Sequence, residues 1–266
     1  MAVTNYHAEQ GVRMSIQGPD PEAPKTAGAS SSRKVLRILF AFSERRQEAT
    51  VAELAEIVGI PVPTTYRHVA LLKELQLLEE GRAGRYRPTA RVMPLARAAQ
   101  LSNDLAQIAR PIVATAAEQL RETVMLMQYF GDAVVCVELT ECDRPMRFTF
   151  QQGHSIPLGV GASGKMVLAC LPPQTQQARL GEIQASGGLR REIDQASVNQ
   201  FATSLAEMDD GLWACSVPVL PQSNKPVVLT LAGPAARISE ASKEVTLDVL
   251  RKSATQIREE LARYKL

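Results

Sequence analysis

TVAELAEIVGIPVPTTYRHVALLKELQLL, residues 50–78, carries two helical patterns punctuated by one glycine and two prolines. In the first, Val51, Leu54, Ala55 and Val58 recur in three- and four-residue steps, with Thr50 placed to cap the start and Gly59 to stop the end. In the second, Pro63 stands in a first helical turn, where its missing N–H costs nothing. Thr65, His68, Val69 and Leu72 then fall on one inward stripe. Upstream, RKVLRILFAFSERR (33–46) places apolar side chains at 35, 38, 39 and 42, which predicts a further helix. Downstream, LLEEGRAGRYRPT (77–89) is two short runs around a Gly-Arg-Ala-Gly turn, the pattern of a β-hairpin with a basic tip.

Three helices followed by a hairpin make a winged helix-turn-helix. In such a module the last helix enters the major groove while the hairpin tracks the phosphate backbone. Opposite the core stripe that helix offers Thr64, Tyr66, Arg67 and Lys73. Arg67 is the candidate for a base contact, since one guanidinium bonds guanine O6 and N7 together. Thr64 suits a phosphate near the helix N-terminus, whereas His68, on the inward side, is a packed ring. Arg82, Arg85 and Arg87 on the wing are expected to add sequence-independent, salt-sensitive affinity.

Charge supports this assignment. The 266 residues carry a formal net charge of only +2. Residues 30–97, however, hold twelve Lys and Arg against seven Asp and Glu, and residues 98–266 hold sixteen against eighteen. The basic excess sits where a polyanion would be met. A hydrophobic content of 45% over this length fills two cores. No apolar run approaches the roughly 18 residues of a spanning helix, and no signal-peptide block opens the chain, so a cytoplasmic location is expected. Cys136, Cys142, Cys170 and Cys215 show no C-x-x-C spacing and are expected as free thiols.

We divide the chain into a flexible Pro/Gly/Ser-rich tail (1–32), the winged helix (33–90), a linker and dimerisation helix region (91–122) and an effector-binding domain (123–266). The linker pattern is interrupted near Pro111. Beyond it, TVMLMQYFGDAVVCVEL predicts two strands about Gly131-Asp132, MRFTF another strand, and LWACSVPVLPQSNKPVVLTLAGP a hairpin. Helical stretches are expected near 164–171, 174–184 and 192–202. A closing helix carries Leu247, Leu250, Ala254, Ile257, Leu261 and Tyr264 on one stripe. Hairpins dominate and no strand-helix-strand repeat occurs, so the chain is of the α+β class with a mainly antiparallel sheet.

PLGVGASGKMVL (157–168) nearly spells a phosphate-binding loop through Gly159, Gly164 and Lys165. The eighth position should be Ser or Thr and is Met166, a core position on the helix that follows. The preceding QQGHSIP does not read as the buried parallel strand such a loop follows. An enzyme or nucleotide-binding protein using Gly159–Lys165 is therefore the alternative reading. The histidines, His7, His68 and His154, offer a hydrolase little. Zinc held by His154 with Cys136, Cys142 or Cys215 has no diagnostic spacing. Met125 and Met127 share one strand face with core or pocket behind it, Met146 completing the thioether set; Trp213 and Phe148 pose the same choice.

The helix-turn-helix, its basic wing, GHSIPLGVGASGKMVLACL and GLWACSVPVL with VVLTLAGPAARIS follow in an order that resembles the IclR family of bacterial transcriptional regulators, over roughly residues 33–264. The resemblance implies a GAF-like effector domain, dimers or tetramers on palindromic double-stranded operators, and control, as repressor or activator, by a small organic (carboxylate or aromatic) acid. It implies no enzyme activity, cofactor, metal or membrane partner. Thr64, Tyr66 and Arg67 match the recognition-helix pattern, with Pro63 in place of a common Ser and Gln76 of a common Gly. Ala162 and Ser163 match the loop whose amides hold an effector carboxylate, and Gly159 replaces a frequent His. Glu207 stands at a recurrent Glu, and Ser204 where some relatives place an acidic contact. The candidate effector contacts are thus Met125, Gly161, Ala162, Ser163, Ser204, Glu207 and Cys215.

Overall fold

The computed structural model describes residues 28–43, 46–131, 133–144, 147–220 and 225–264. The described chain divides between Asn103 and Asp104 into two compact units, each with its own core. Of the expected tail, residues 1–27 lie outside the described residues; helix α1 (Ser30–Phe40) begins three residues ahead of the expected Arg33.

The N-terminal unit continues with β1 (Ala49–Thr50), α2 (Val51–Val58), α3 (Val62–Glu74), the wing strands β2 (Leu78–Glu80) and β3 (Arg85–Pro88), and α4 (Met93–Leu101). Thr50 and Glu53 form a reciprocal cap: Thr50 Oγ1 accepts the Glu53 N–H at 3.2 Å and the Glu53 carboxylate accepts the Thr50 N–H at 2.7 Å. Gly59 ends α2 at φ 68°, a left-handed geometry that L side chains resist. Val51, Leu54 and Val58 meet Ile38, Val69 and Leu72 in one buried cluster. Thr65 and His68 are buried on the same stripe. The sequence pattern does not predict β1; its two residues pair with Arg85 and Tyr86, giving a three-stranded sheet in the order β1-β3-β2.

The C-terminal unit opens with α5 (Asp104–Leu120), and its sheet comprises β4 (Thr123–Tyr129), β5 (Ala133–Thr140), β6 (Ser155–Pro157), β7 (Ala202–Leu205), β8 (Leu212–Leu220) and β9 (Val227–Pro234). Helices α6 (Gly161–Cys170), α7 (Pro173–Glu182) and α8 (Gly187–Asn199) come between β6 and β7, and α9 (Glu240–Arg263) closes the chain. The strands lie in the order β6-β5-β4-β9-β8-β7, every pairing antiparallel. Both faces are covered. Met125, Met127, Cys136, Val228 and Ala232 face α6 and α8, whereas Val124, Leu126, Cys215, Leu229 and Leu231 face α5 and α9. Burial on both sides explains why β8 and β9 are almost continuously apolar in sequence.

Several expectations are corrected. The helical break lies at Ser102–Asn103, between α4 and α5, and Pro111 sits inside α5. Proline there loses one helical hydrogen bond, at a cost of about 3 kcal/mol. The flanking Ala109, Ile112, Val113 and Ala116 are buried against the sheet, and that packing holds the helix together. Within MRFTF, residues 147–150 pair with no strand among the described residues, and Met146 lies outside them. The edge of β5 is taken instead by the 153–157 segment: the Cys136 N–H donates to His154 O, the Gly153 N–H to Cys136 O, and β6 pairs with Ala133–Val135. The helix expected near 192–202 starts at Gly187 and stops at Asn199, and Ala202–Leu205 form the edge strand β7. On α9, Leu250, Ala254, Ile257 and Leu261 are buried, but Tyr264 is 65% exposed and outside the stripe. Asp132 and the 221–224 turn lie outside the described residues.

Candidate nucleic-acid interface and effector pocket

In the N-terminal unit, α3 turns Thr65, His68, Val69 and Leu72 inward and thereby presents Tyr66 and Arg67 to solvent, with Thr64 half-buried beside them. Among the described residues Arg67 has no ion-pair partner. Tyr66 is 57% exposed, much for a ring that nothing in the fold requires outside. Lys73 departs from the expected groove-facing set. Its ammonium reaches the wing, 2.7 Å from Glu80 and 5.3 Å from the centre of the Tyr86 ring, and the Glu80 hydrogen bond raises its pKa. Two wing arginines are likewise engaged. Arg85 lies 3.0 Å from Glu48 and 3.2 Å from Glu53, tying β3 to the start of α2, and Arg87 lies 2.7 Å from Glu79. Arg82, exposed at the tip, has no ion pair among the described residues. These partners are distant in sequence or cross-strand, so counting arginines could not separate engaged charges from open ones.

His68 is the packed ring its position implied. It is 8% exposed, its Nε2 has no hydrogen-bond partner among the described residues, and burial followed by the nearby Lys34 charge lowers its pKa.

In the C-terminal unit the glycine-rich segment leads from β6, an antiparallel edge strand, into α6. Gly161 through Leu168 are all buried. The first-turn amides already have partners inside the protein: the Gly161 N–H donates to Glu207 Oε2 at 3.0 Å and the Ala162 N–H to Ser204 Oγ at 3.1 Å. Lys165 turns back to the same carboxylate, its Nζ 2.6 Å from Glu207 Oε1 and 2.9 Å from Glu192. A phosphate-loop lysine points at its nucleotide; this one is buried and spanned by two carboxylates. Met166 is fully buried, a core side chain as its position implied.

Between the first turn of α6 and the sheet lies a small apolar pocket. Met125, Met127, Phe148, Phe150 and Met208 form its walls, Ala214 and Ala232 its floor. Its hydroxyls are chained: Ser163 Oγ lies 2.8 Å from Thr230 Oγ1, which donates to Ser216 Oγ at 2.9 Å. The cavity volume is about 30 Å³, the room of one or two water molecules. A ring-sized guest therefore requires the wall to move, and three unbranched thioethers are the side chains best able to do so. On the other side of the Lys165–Glu207 pair is a polar groove of about 580 Å³, bordered by Glu192, Asn199, Thr203 and Lys243.

Met125, Gly161, Ala162, Ser163 and Ser204 all border the apolar pocket. Glu207 does not: it borders the polar groove and accepts from the Gly161 N–H. Nor does Cys215 border the pocket. Successive residues of β8 point to opposite faces, so Ala214 opens on the pocket while Cys215 packs under α5 and α9. Burial pushes its thiol up to about 12, as it does those of Cys136 and Cys170. Trp213 is a core residue on the same far face. Sequence reasoning missed Phe150, Met208, Ala214 and Thr230, which converge from separate strands and a loop. Among the described residues no three His, Cys, Asp or Glu gather as metal ligands, and no helix is long and apolar enough to cross a membrane.

Comparison with known proteins covers both units. Residues 31–82 match the IclR helix-turn-helix domain, and residues 98–259 the bacterial transcriptional regulator IclR C-terminal model. The chain is 28% identical over 247 residues to the HTH-type transcriptional regulator TtgV of Pseudomonas putida, covering 89% of this chain and 92% of that protein. Its fold is that of an IclR family transcriptional regulator from Brucella abortus, with TM-score 0.76, 18% identity and coverage of 86% and 91%. An IclR homolog from Microbacterium hydrocarbonoxydans, solved with 4-hydroxybenzoate, aligns with TM-score 0.60, 21% identity and coverage of 88% and 100%. A winged helix whose α3 exposes Tyr66 and Arg67, joined in one chain to this antiparallel pocket domain and matched by family models across both, makes the chain a member of the IclR family of DNA-binding bacterial transcriptional regulators.

Proposed function

We propose that this regulator binds a palindromic operator as a dimer or tetramer in the cytoplasm, and that a small organic effector with an aromatic body, held in the apolar pocket, sets its operator affinity. The observation that carries the reading is the pocket itself: three methionines and two phenylalanines converge on a pair of buried hydroxyls at the start of α6. Such a lining suits a flat apolar body with one hydrogen-bonding end. The 4-hydroxybenzoate complex of the Microbacterium homolog supports a ligand of that size, and the sequence resemblance points to small organic acids.

On the DNA side, Arg67 is the base reader, Tyr66 and Thr64 flank it, and Arg82 supplies phosphate contact. Leu36 and Phe40 on α1 and Met93, Leu95 and Leu101 on α4 are 51–72% exposed. These apolar faces support pairing with a second copy, and two-fold pairing matches a palindromic site. An effector that binds one quaternary arrangement more tightly than another changes operator affinity by that difference.

The test is titration of the protein against its own upstream DNA and against random duplex over a range of salt, with and without a panel of small aromatic compounds. Specific binding that exceeds random binding at every salt concentration, and shifts with at least one compound, is the expected outcome. Equal affinity for both duplexes throughout sinks the sequence-specific reading.

A further inference from the structure

We infer that the polar groove beside β7 is a second ligand site, independent of the apolar pocket, and that it takes a short zwitterionic peptide laid along the free edge of the sheet. That edge is open because β7 is the last strand in the sheet order and pairs with β8. The Ala206 N–H donates to Leu212 O at 2.8 Å, and Leu205 lies opposite Trp213. Along an antiparallel ladder, hydrogen-bonded and non-hydrogen-bonded pairs alternate. Ala202 and Ser204 therefore bond to β8, whereas the N–H and C=O of Thr203 and Leu205 point out of the sheet, and both residues line the groove. Donors and acceptors alternating at strand spacing are the complement of another extended main chain.

The surrounding side chains fit the two charged ends of such a guest. Glu192, Gln195 and Asn199 recur on one face of α8 and line the groove, as does Lys243 of α9. Glu192 Oε2 lies 2.9 Å from Lys165 Nζ, while its Oε1 has no partner among the described residues, and neither do the side-chain amides of Gln195 and Asn199. Lys165 is occupied by Glu192 and Glu207 together, so the cation open to a ligand is Lys243, whose Glu240 partner is 89% exposed and readily exchanged. A spare carboxylate oxygen receives the peptide ammonium, and Lys243 receives its carboxylate. Lys165 and Lys243 balance Glu192 and Glu207 in the lining, which suits a guest of zero net charge. The volume of about 580 Å³ is that of a small-molecule site. Leu205, 62% exposed on the strand face it shares with Trp213, gives an apolar side chain of the guest something to cover.

The experiment is isothermal titration of the full-length protein, at neutral pH, with L-leucyl-L-leucine, its N-acetyl form, its C-terminal amide, the analogue methylated at the peptide nitrogen, and free leucine. The dipeptide is expected to bind at least about tenfold more tightly than each of the other four. Glu192→Gln should weaken the dipeptide by about tenfold and leave the N-acetyl form unchanged; Lys243→Gln should weaken it similarly and leave the amide unchanged. Each variant thus carries its own reference ligand, which a general disturbance of the fold would weaken as well. No binding of the dipeptide, capped forms that bind as tightly as the dipeptide, or free leucine that does so, overturns the inference. Thr203→Pro removes one outward N–H and tests the competing occupant by sedimentation velocity. A smaller assembly in that variant would seat a second copy of the chain on the edge and overturn the peptide reading; an unchanged assembly with weaker dipeptide binding supports it.

Discussion

Gly164→Ala tests the packing of α6 through the sign of its effect. At an open helical position the change from glycine to alanine stabilises by about 0.5–1 kcal/mol, because glycine loses more chain entropy on folding. In α6 an alanine Cβ at 164 would stand 2.7 Å from Pro157 O and 3.0 Å from Gly159 N, both main-chain atoms. An ordinary carbon–oxygen contact is roughly half an ångström longer. The start of α6 must therefore lift off the turn that precedes it, and its amides are the ones bonded to Glu207 and Ser204. Overpacking of this kind costs about 1–3 kcal/mol, enough to outrun the propensity gain. We expect a net loss near 1–2 kcal/mol, which is about 2–8 °C in the melting temperature of a domain this size. Gly181, in α7, has nothing within 4 Å of its would-be Cβ, and Gly181→Ala should raise stability by about 0.5–1 kcal/mol. Paired urea or thermal melts measure both. If Gly164→Ala were as stable as wild type or more so, the close approach of α6 to residues 157–159 would not exist and the pocket geometry argued from it would fail.

Two further perturbations address the DNA-binding unit. Burial, with the Lys34 charge second, holds the His68 pKa below its ordinary 6.5. The ring is then neutral when folded, and the stability this contributes is present above that value and lost as pH falls below it, by at most about 1.4 kcal/mol per pH unit. Denaturation of the wild type between pH 7.5 and 5.5 should show this loss and His68→Leu should lack it; parallel curves would refute a buried neutral ring. Arg82→Ala should weaken binding to operator and random DNA alike and flatten the dependence of log K on log salt by about 0.9 for each phosphate that Arg82 neutralises. Arg85→Ala should leave that slope nearly intact and cost up to about 1 kcal/mol of stability, since its partners are Glu48 and Glu53. An equal slope change in both variants would mean that the ion pairs do not distinguish the two arginines.

Local order was legible because local order has periodic causes. The helix-turn-helix could be read from a three- and four-residue apolar rhythm, a threonine cap and a glycine stop, and the β8–β9 hairpin from a long apolar run on each side of a turn. The expected interruption at Pro111 was misplaced because burial of the flanking alanines and isoleucine outweighs a local penalty. MRFTF has the composition of a strand, yet the neighbouring segment 153–157 takes the edge it would have paired with.

The sequence by itself determined the two-part plan, the exposed face of α3 that carries Tyr66 and Arg67, and the buried place of Met166. Helix caps, apolar period and charge bias act within a few residues of one another, so each is written in consecutive letters. Tertiary structure alone decided which wing arginine stays open and that Cys215 faces away from the pocket while Ala214 opens on it. It also decided that the Gly161 and Ala162 amides of PLGVGASGKMVL are already bonded to Glu207 and Ser204, some forty residues later. Those outcomes depend on which strand face, loop and carboxylate arrive at one point in space. Burial and hydrogen-bond satisfaction select among such arrivals only once the sheet has formed.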